Sequence, residues 1–325
     1  MHFEVDNTND TSASRRNCFN AIYNCLIGHG LISIVPITMT ITHDFYFICK
    51  EVGYNFYYIF FQNDLTNKIM MTISETVDQT KEWNKQPFNI WSDNKNKRLI
   101  FGINLNKGIF YINLNERNYL LTCVSNEDYR RTTEHLAFGV LNKYHYSING
   151  GAFVMGREVK YEDLSSTNIP SMPSDYAIAI RDNLEESVNP NNEYYGLWAT
   201  NLPGESMHKA VCSIAVEDNN LPTYFPLFLN NQLDRSRTTN SFNCISLIMP
   251  IVFYIQQEPV ELDEYYAYGY TDVINFVDMY NMSSGRIINS NYPYFTQQYQ
   301  CFSIYQRRSN EIRKGFVGLA FRYLD

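Results

Sequence analysis

The stretch RLIFGINLNKGIFYINLNERNYLLTCV, residues 98–124, carries the densest β signal in the chain. Three short apolar runs, Leu99 to Leu105, Ile109 to Leu114 and Tyr119 to Val124, are too short for helices and rich in residues that suit a pleated, half-buried surface. Between them stand Asn106-Lys107-Gly108 and Asn115-Glu116-Arg117-Asn118. Asn and Gly tolerate the positive φ of tight hairpins, so the stretch predicts a three-stranded antiparallel meander.

Working outward toward the N-terminus, Cys18, Ala21, Ile22, Cys25 and Leu26 recur at helical spacing. Thr11, Ser12 and Ser14 are candidate N-caps, and Gly28-His29-Gly30 supplies a stop, which predicts one helix over about 14–27. Leu31 to Thr42 then alternates Ile37, Met39 and Ile41 against Thr38, Thr40 and Thr42, a strand exposed on one face with Pro36 at a bulge or edge. Phe45 to Cys49, Tyr57 to Phe61 and Ile69 to Ile73 follow as strands, with polar turns such as Gln62-Asn63-Asp64. The stretch around Trp83, Pro87 and Trp91 reads as irregular.

Toward the C-terminus, Asn149-Gly150-Gly151 opens a region punctuated by Pro170, Pro173, Pro190 and Asn191-Asn192, the best place for a boundary or a surface insertion. A second strand-rich block covers Met207 to Val216, Tyr224 to Leu229, Cys244 to Ile255, Val273 to Val277, Tyr299 to Tyr305 and Phe316 to Tyr323. The fold class expected is mainly β (α+β): an N-terminal helix, then antiparallel β meanders in two β subdomains. The organisation expected is a polar N-terminal arm over 1–13, a helix-plus-meander domain over 14–150, an irregular connection over 151–206 and a strand-rich domain over 207–325.

Composition narrows the functional classes. The 325 residues include 26 Tyr and 21 Phe, a sheet-forming aromatic core whose tyrosines also suit interfaces. A net charge of −8 with only short basic pairs (Arg15-Arg16, Arg130-Arg131, Arg307-Arg308, Arg313-Lys314) argues against a nucleic-acid grip, so no nucleic-acid partner is expected. The 37 Asn against 22 Leu invert ordinary usage, as AT-rich coding does. The first residues are polar and acidic, and the longest apolar run, Ile245 to Ile255, is broken by Ser246 and Pro250. Neither a signal peptide nor a membrane helix is expected.

Candidate chemistry is sparse. The seven cysteines (Cys18, Cys25, Cys49, Cys123, Cys212, Cys244, Cys301) are odd in number and form no C-x-x-C, so they read as small core residues of a protein made in a reducing cytoplasm. The histidines His2, His29, His43, His135, His145 and His208 lack metal-site spacing. His135 and His145 flank Leu136 to Leu141, where a structural role outweighs a ligand pair. No nucleophile elbow, Walker loop or dinucleotide fingerprint occurs. Glu258, Glu261, Asp263 and Glu264, followed by Tyr265, Tyr266, Tyr268 and Tyr270, form the densest acidic group. Paired carboxylates beside rings suit glycoside cleavage, although an exposed acidic loop is the plainer reading. The expectation is a protein that is not an enzyme, with no catalytic, cofactor-binding or metal residues.

Two segments carry a resemblance. One runs from Phe88-Asn89-Ile90-Trp91 through Gly108-Ile109-Phe110-Tyr111-Ile112-Asn113 and Tyr119-Leu120-Leu121-Thr122-Cys123-Val124 to His135-Leu136-Ala137-Phe138-Gly139. The other runs from Gly269-Tyr270-Thr271-Asp272-Val273 to Tyr299-Gln300-Cys301-Phe302, Arg307-Arg308 and the stretch from Gly315 to Tyr323. Both resemble segments of a family of tailed-bacteriophage virion structural proteins, often associated with the tail. Residues 157–206 depart most from that pattern. The resemblance implies a virion subunit, at a tail end or baseplate, assembled in the host cytoplasm. Its partners would be other virion proteins and copies of itself, with no membrane and with host-surface contact not indicated. A virion-associated carbohydrate-binding or glycoside-cleaving module, and a neck or head-decoration protein, stand as alternatives.

Overall fold

The computed structural model describes residues 2–6, 12–40, 44–54, 56–63, 67–74, 76–86, 100–105, 107–125, 133–144, 151–159, 176–181, 197–198, 209–212, 248–256, 265–278, 283–292, 295–303 and 317–323. The chain is mainly β, with antiparallel sheets and an N-terminal helix, α1 (Ser12–Gly28). Cys18, Phe19, Ile22 and Leu26 form its buried stripe, while Arg16, Asn17 and Asn24 face solvent. The helix runs through Gly28 and stops one turn residue later. Gly30, at φ +119, donates its N–H to the Ile27 carbonyl (3.1 Å), and Leu31 donates to Leu26 (3.1 Å). This paired closure satisfies carbonyls that the last turn leaves open.

Two meanders follow. The first comprises β2 (Ile32–Met39), β3 (Asp44–Lys50), β4 (Tyr57–Asn63), β5 (Lys68–Ser74) and β6 (Ile100–Asn104), each paired antiparallel with the next. The second comprises β7 (Gly108–Asn115), β8 (Asn118–Ser125) and β9 (Thr133–Val140), with β1 (His2–Asp6) on the outer edge of β7. The arm expected over 1–13 therefore supplies an edge strand.

The expected three-stranded meander over 98–124 does not form. β7 pairs β8 as predicted, but β6 pairs β5 and β11 (Ala152–Val159), not β7. The chain therefore passes from the first meander to the second between β6 and β7. Turn-prone residues permit a reversal but do not choose the neighbour, and here β1 occupies the edge of β7 that β6 would need.

β11 joins the meanders. One of its edges pairs β9 through Ala152–Gly156 and β6 through Arg157–Val159; the other pairs β12 (Tyr176–Arg181), which pairs β13 (Leu197–Trp198). The region 151–206, expected to be irregular, thus contains three strands, one of them the seam of the larger sheet. From that seam the two meanders fold over a common core. Phe60 of β4 meets Phe138 of β9 with ring centroids 5.5 Å apart, and Tyr58 meets Phe138 at 5.0 Å. Helix α1 lies between β2 and β7, and Phe19 reaches Phe47 of β3 at 5.1 Å. Each fully buried ring of this kind contributes about 1.5–3 kcal/mol of apolar transfer.

The outer face of each meander is also covered. Over β2–β6, Val35, Tyr46, Ile48, Ile59, Phe61, Met70 and Ile100 pack under Trp83, which stacks on Phe61 at 3.8 Å and 8°. Buried Gln86 pins that covering segment by donating to the carbonyls of Asp78 and Lys81 and accepting from the Asp78 N–H.

Over β7–β9 lies a second sheet. It contains β10 (Asn142–Lys143), β14 (Lys209–Cys212), β15 (Ile248–Gln256), β16 (Tyr265–Asp278), β17 (Arg286–Tyr292), β18 (Phe295–Ser303) and β19 (Val317–Arg322). Phe302 of this sheet contacts Tyr111 (5.1 Å) and the ring of His135 (6.3 Å). The strand expected over Tyr224 to Leu229 lies outside the described residues.

Candidate functional site

Asn115 and Asn118 face each other across the β7–β8 hairpin, leaving Glu116 and Arg117 as a two-residue turn. Such turns favour positive φ, which is why Asn and Gly usually fill them. Glu116 adopts φ +51 and is the sole positive-φ non-glycine residue among the described residues. A conformation of this kind costs of order 1 kcal/mol or more and persists where surrounding contacts fix it. Here the fixing contacts come from three directions.

From the helix end, His29 Nε2 donates to the Glu116 carbonyl at 2.8 Å; a carbonyl only accepts, so that nitrogen carries the proton. The His29 ring also stands edge-on to Tyr119 at 6.0 Å.

From the first meander come the residues after β3. Tyr119 donates its hydroxyl to Glu51 Oε2 at 2.9 Å, and Arg117 Nε lies 4.0 Å from Glu51 Oε1. Arg117 also donates from Nη1 to the Tyr54 hydroxyl (3.0 Å) and covers the Tyr54 ring at 5.0 Å. Glu51 is 4% exposed. Burial raises its carboxyl above the ordinary range, while the Tyr119 hydrogen bond and the Arg117 charge pull it back down. Burial and the neighbouring Glu51 charge push the Tyr119 phenol up. The fully buried Tyr58 hydroxyl, among whose charged neighbours Glu51 is the foremost, has no hydrogen-bond partner among the described residues.

From the second sheet, Asn115 Nδ2 donates to the Arg322 carbonyl (2.6 Å), and Arg322 Nη2 pairs with Glu116 Oε1 (3.1 Å). Arg322 Nη1 holds Asp272 at 2.9 Å, and Thr271 Oγ1 donates to Asn118 Oδ1 at 3.1 Å. Between the meanders and their neighbours, Val140 donates its N–H to the Arg117 carbonyl (3.0 Å), and Gly139 lets that carbonyl approach. One turn thus ties α1, the β3–β4 connection, β9 and the second sheet together.

Chemically the arrangement is a clamp. It offers a buried carboxylate held by a phenol and a guanidinium. His135 sits between the sheets, with Nδ1 3.2 Å from Thr122 Oγ1; His145 lies outside the described residues. Glu258, Glu261, Asp263 and Glu264 also lie outside them. Among the described residues no group of three or more His, Cys, Asp or Glu is placed to hold a metal, and no helix is long and apolar enough to cross a membrane.

Sequence reasoning marked residues 115–118 only as a turn. Nothing local distinguishes Glu51 or Tyr119, which lie far apart in the chain. The one available signal is negative: a two-residue turn built from Glu-Arg, without glycine, needs outside support.

The fold and this clamp define a layered, mainly β protein with an N-terminal helix. No protein-family model matches the chain, and no curated protein is similar to it in sequence.

Proposed function

We propose that the chain is a structural subunit of a tailed-phage virion, at a tail end or baseplate, acting through interfaces with copies of itself and other virion proteins. The observation that carries this reading is a pair of open sheet edges. Among the described residues β2 pairs only β3, and β17 pairs only β18. β2 presents Ile32 (47% exposed) and Met39 (54%) to solvent, and β17 presents Ile287 (48%). Open edges offer unpaired backbone donors and acceptors, and soluble proteins ordinarily blunt them with charge or cover them. Exposed apolar side chains on such edges suit strand pairing with a neighbouring subunit. Two different edges on one subunit make a heterologous contact, the kind that closes rings.

The sequence resemblance supplies the phage context, and the second sheet supplies rigidity, because the hairpin clamp fixes it to the first. Locating the chain in an imaged particle tests the reading. A ring of copies at the tail end or baseplate supports it, a neck or head position replaces the location, and absence from purified virions overturns it.

A further inference from the structure

We propose that Glu51 is a proton-operated latch, joining the β3–β4 connection to the tip of the β7–β8 hairpin so that gain or loss of one proton sets how firmly the two are held. The inference does not depend on where the chain works.

Glu51 follows β3 in the first meander, whereas Tyr119 and Arg117 belong to the hairpin of the second, and β3 and β8 are not hydrogen-bonded neighbours. Besides the shared core, the polar contacts from Glu51 and Tyr54 to this hairpin are what hold the two ends together: Tyr119 to Glu51, Arg117 to Glu51 and Arg117 to Tyr54. Groups from each side face the carboxyl. From β3 comes Cys49, from β4 and the connection before it Tyr58 and Tyr54, from the hairpin Arg117 and Tyr119, and from the end of α1 His29, which packs on Tyr119. Among the described residues Arg117 is the sole cation in direct contact with Glu51, and its Nε stands 4.0 Å from Oε1. The carboxylate is thus buried with incomplete compensation, and the buried hydroxyl of its neighbour Tyr58 has no partner among the described residues.

The sign follows from that environment. When the latch opens, Glu51 enters water and regains an ordinary carboxyl affinity for protons; when closed it binds a proton more tightly, because burial penalises its charge. Closing is therefore favoured as pH falls through the window between the raised value and the ordinary one, about 4.3. As pH rises through the same window the opening constant grows, by at most about tenfold per pH unit for one proton, and it is flat on either side.

The test is hydrogen exchange on the full chain across acid to neutral pH, with protection corrected for intrinsic exchange rates, read at backbone amides over 51–58 and 117–121. Wild-type protection falls with rising pH through one titration. Glu51→Gln, which cannot ionise, removes that titration. Tyr119→Phe removes a bond that favours the charged form and moves the midpoint to higher pH, which a purely packing role for Tyr119 would not do. Tyr119→Phe keeps the proposal testable if Glu51→Gln fails to fold. A pH-independent wild type, an unchanged profile in Glu51→Gln, or a midpoint unmoved or lowered in Tyr119→Phe overturns the latch.

Discussion

Glycine 139 shows how closely single residues are constrained. It sits on β9 at φ +149, and a Cβ there would meet the Arg117 carbonyl oxygen and lie 2.9 Å from the Asn118 Cα. Both obstacles are backbone, so neither can swing aside. Gly139→Ala is expected to cost more than about 1 kcal/mol, seen as a lower urea midpoint at unchanged slope. A wild-type midpoint would mean the hairpin tip yields more readily than its contacts imply. The cysteines permit a second expectation at this scale. Cys18, Cys49, Cys123 and Cys301 are fully buried, and burial pushes the thiols of Cys18 and Cys301 up to about 12 and that of half-buried Cys25 up to about 11. The thiolate is the reactive form, so at pH 8 these sulfurs should react with a thiol reagent far more slowly than in denaturant. Peptide mapping reads this site by site, and rapid labelling of the four buried cysteines in the native protein would contradict the packing described. Their core role was legible in their dispersal along apolar runs.

At the scale of elements, periodicity located most strands but not their neighbours. Helix α1 and strands β3 to β8 lie within a few residues of where apolar spacing put them, because a 3.6-residue or two-residue period is a local property. Pro36, expected at a bulge or edge, lies in β2 at the end of the described sheet order, with register shifts on either side of Val35. Its expected inward set fails at Met39, which is exposed, while Thr40 is buried. Such shifts rotate side chains out of simple alternation, and a period count cannot follow that. β11 escaped reading because AFVMGREV is buried across both faces over Ala152–Gly156 and so does not alternate. The stretch around Trp83, Pro87 and Trp91 reads as irregular from its sequence; Pro87 and Trp91 lie outside the described residues, and Trp83–Lys85 forms a single 3-10 turn whose Trp83 covers a sheet face. Trp83→Ala should remove the stack on Phe61 and cost about 3 kcal/mol, measured by denaturant unfolding. A change below 0.5 kcal/mol would show that the segment contributes little to holding that face.

The whole molecule depends on layers meeting. Phe302 touches both Tyr111 and the His135 ring, so Phe302→Ala should cost about 3–5 kcal/mol and weaken the hold of the second sheet on β7–β9. Calorimetry checks this: a lowered transition is expected, and an unchanged one would mean that the sheets cohere without that ring. By itself the sequence determined that the protein is mainly β, that a helix lies near the N-terminus, and that residues 115–118 turn the chain. These follow from side-chain period, turn chemistry and capping, which act over a few residues. Only the tertiary structure decided that β6 leaves β7 for β5 and β11, and that Glu51 meets Tyr119. It also decided that one hairpin tip binds the helix end and both sheets. Such pairings are chosen by competition among edges and by burial of groups distant in the chain, and no local pattern records the outcome.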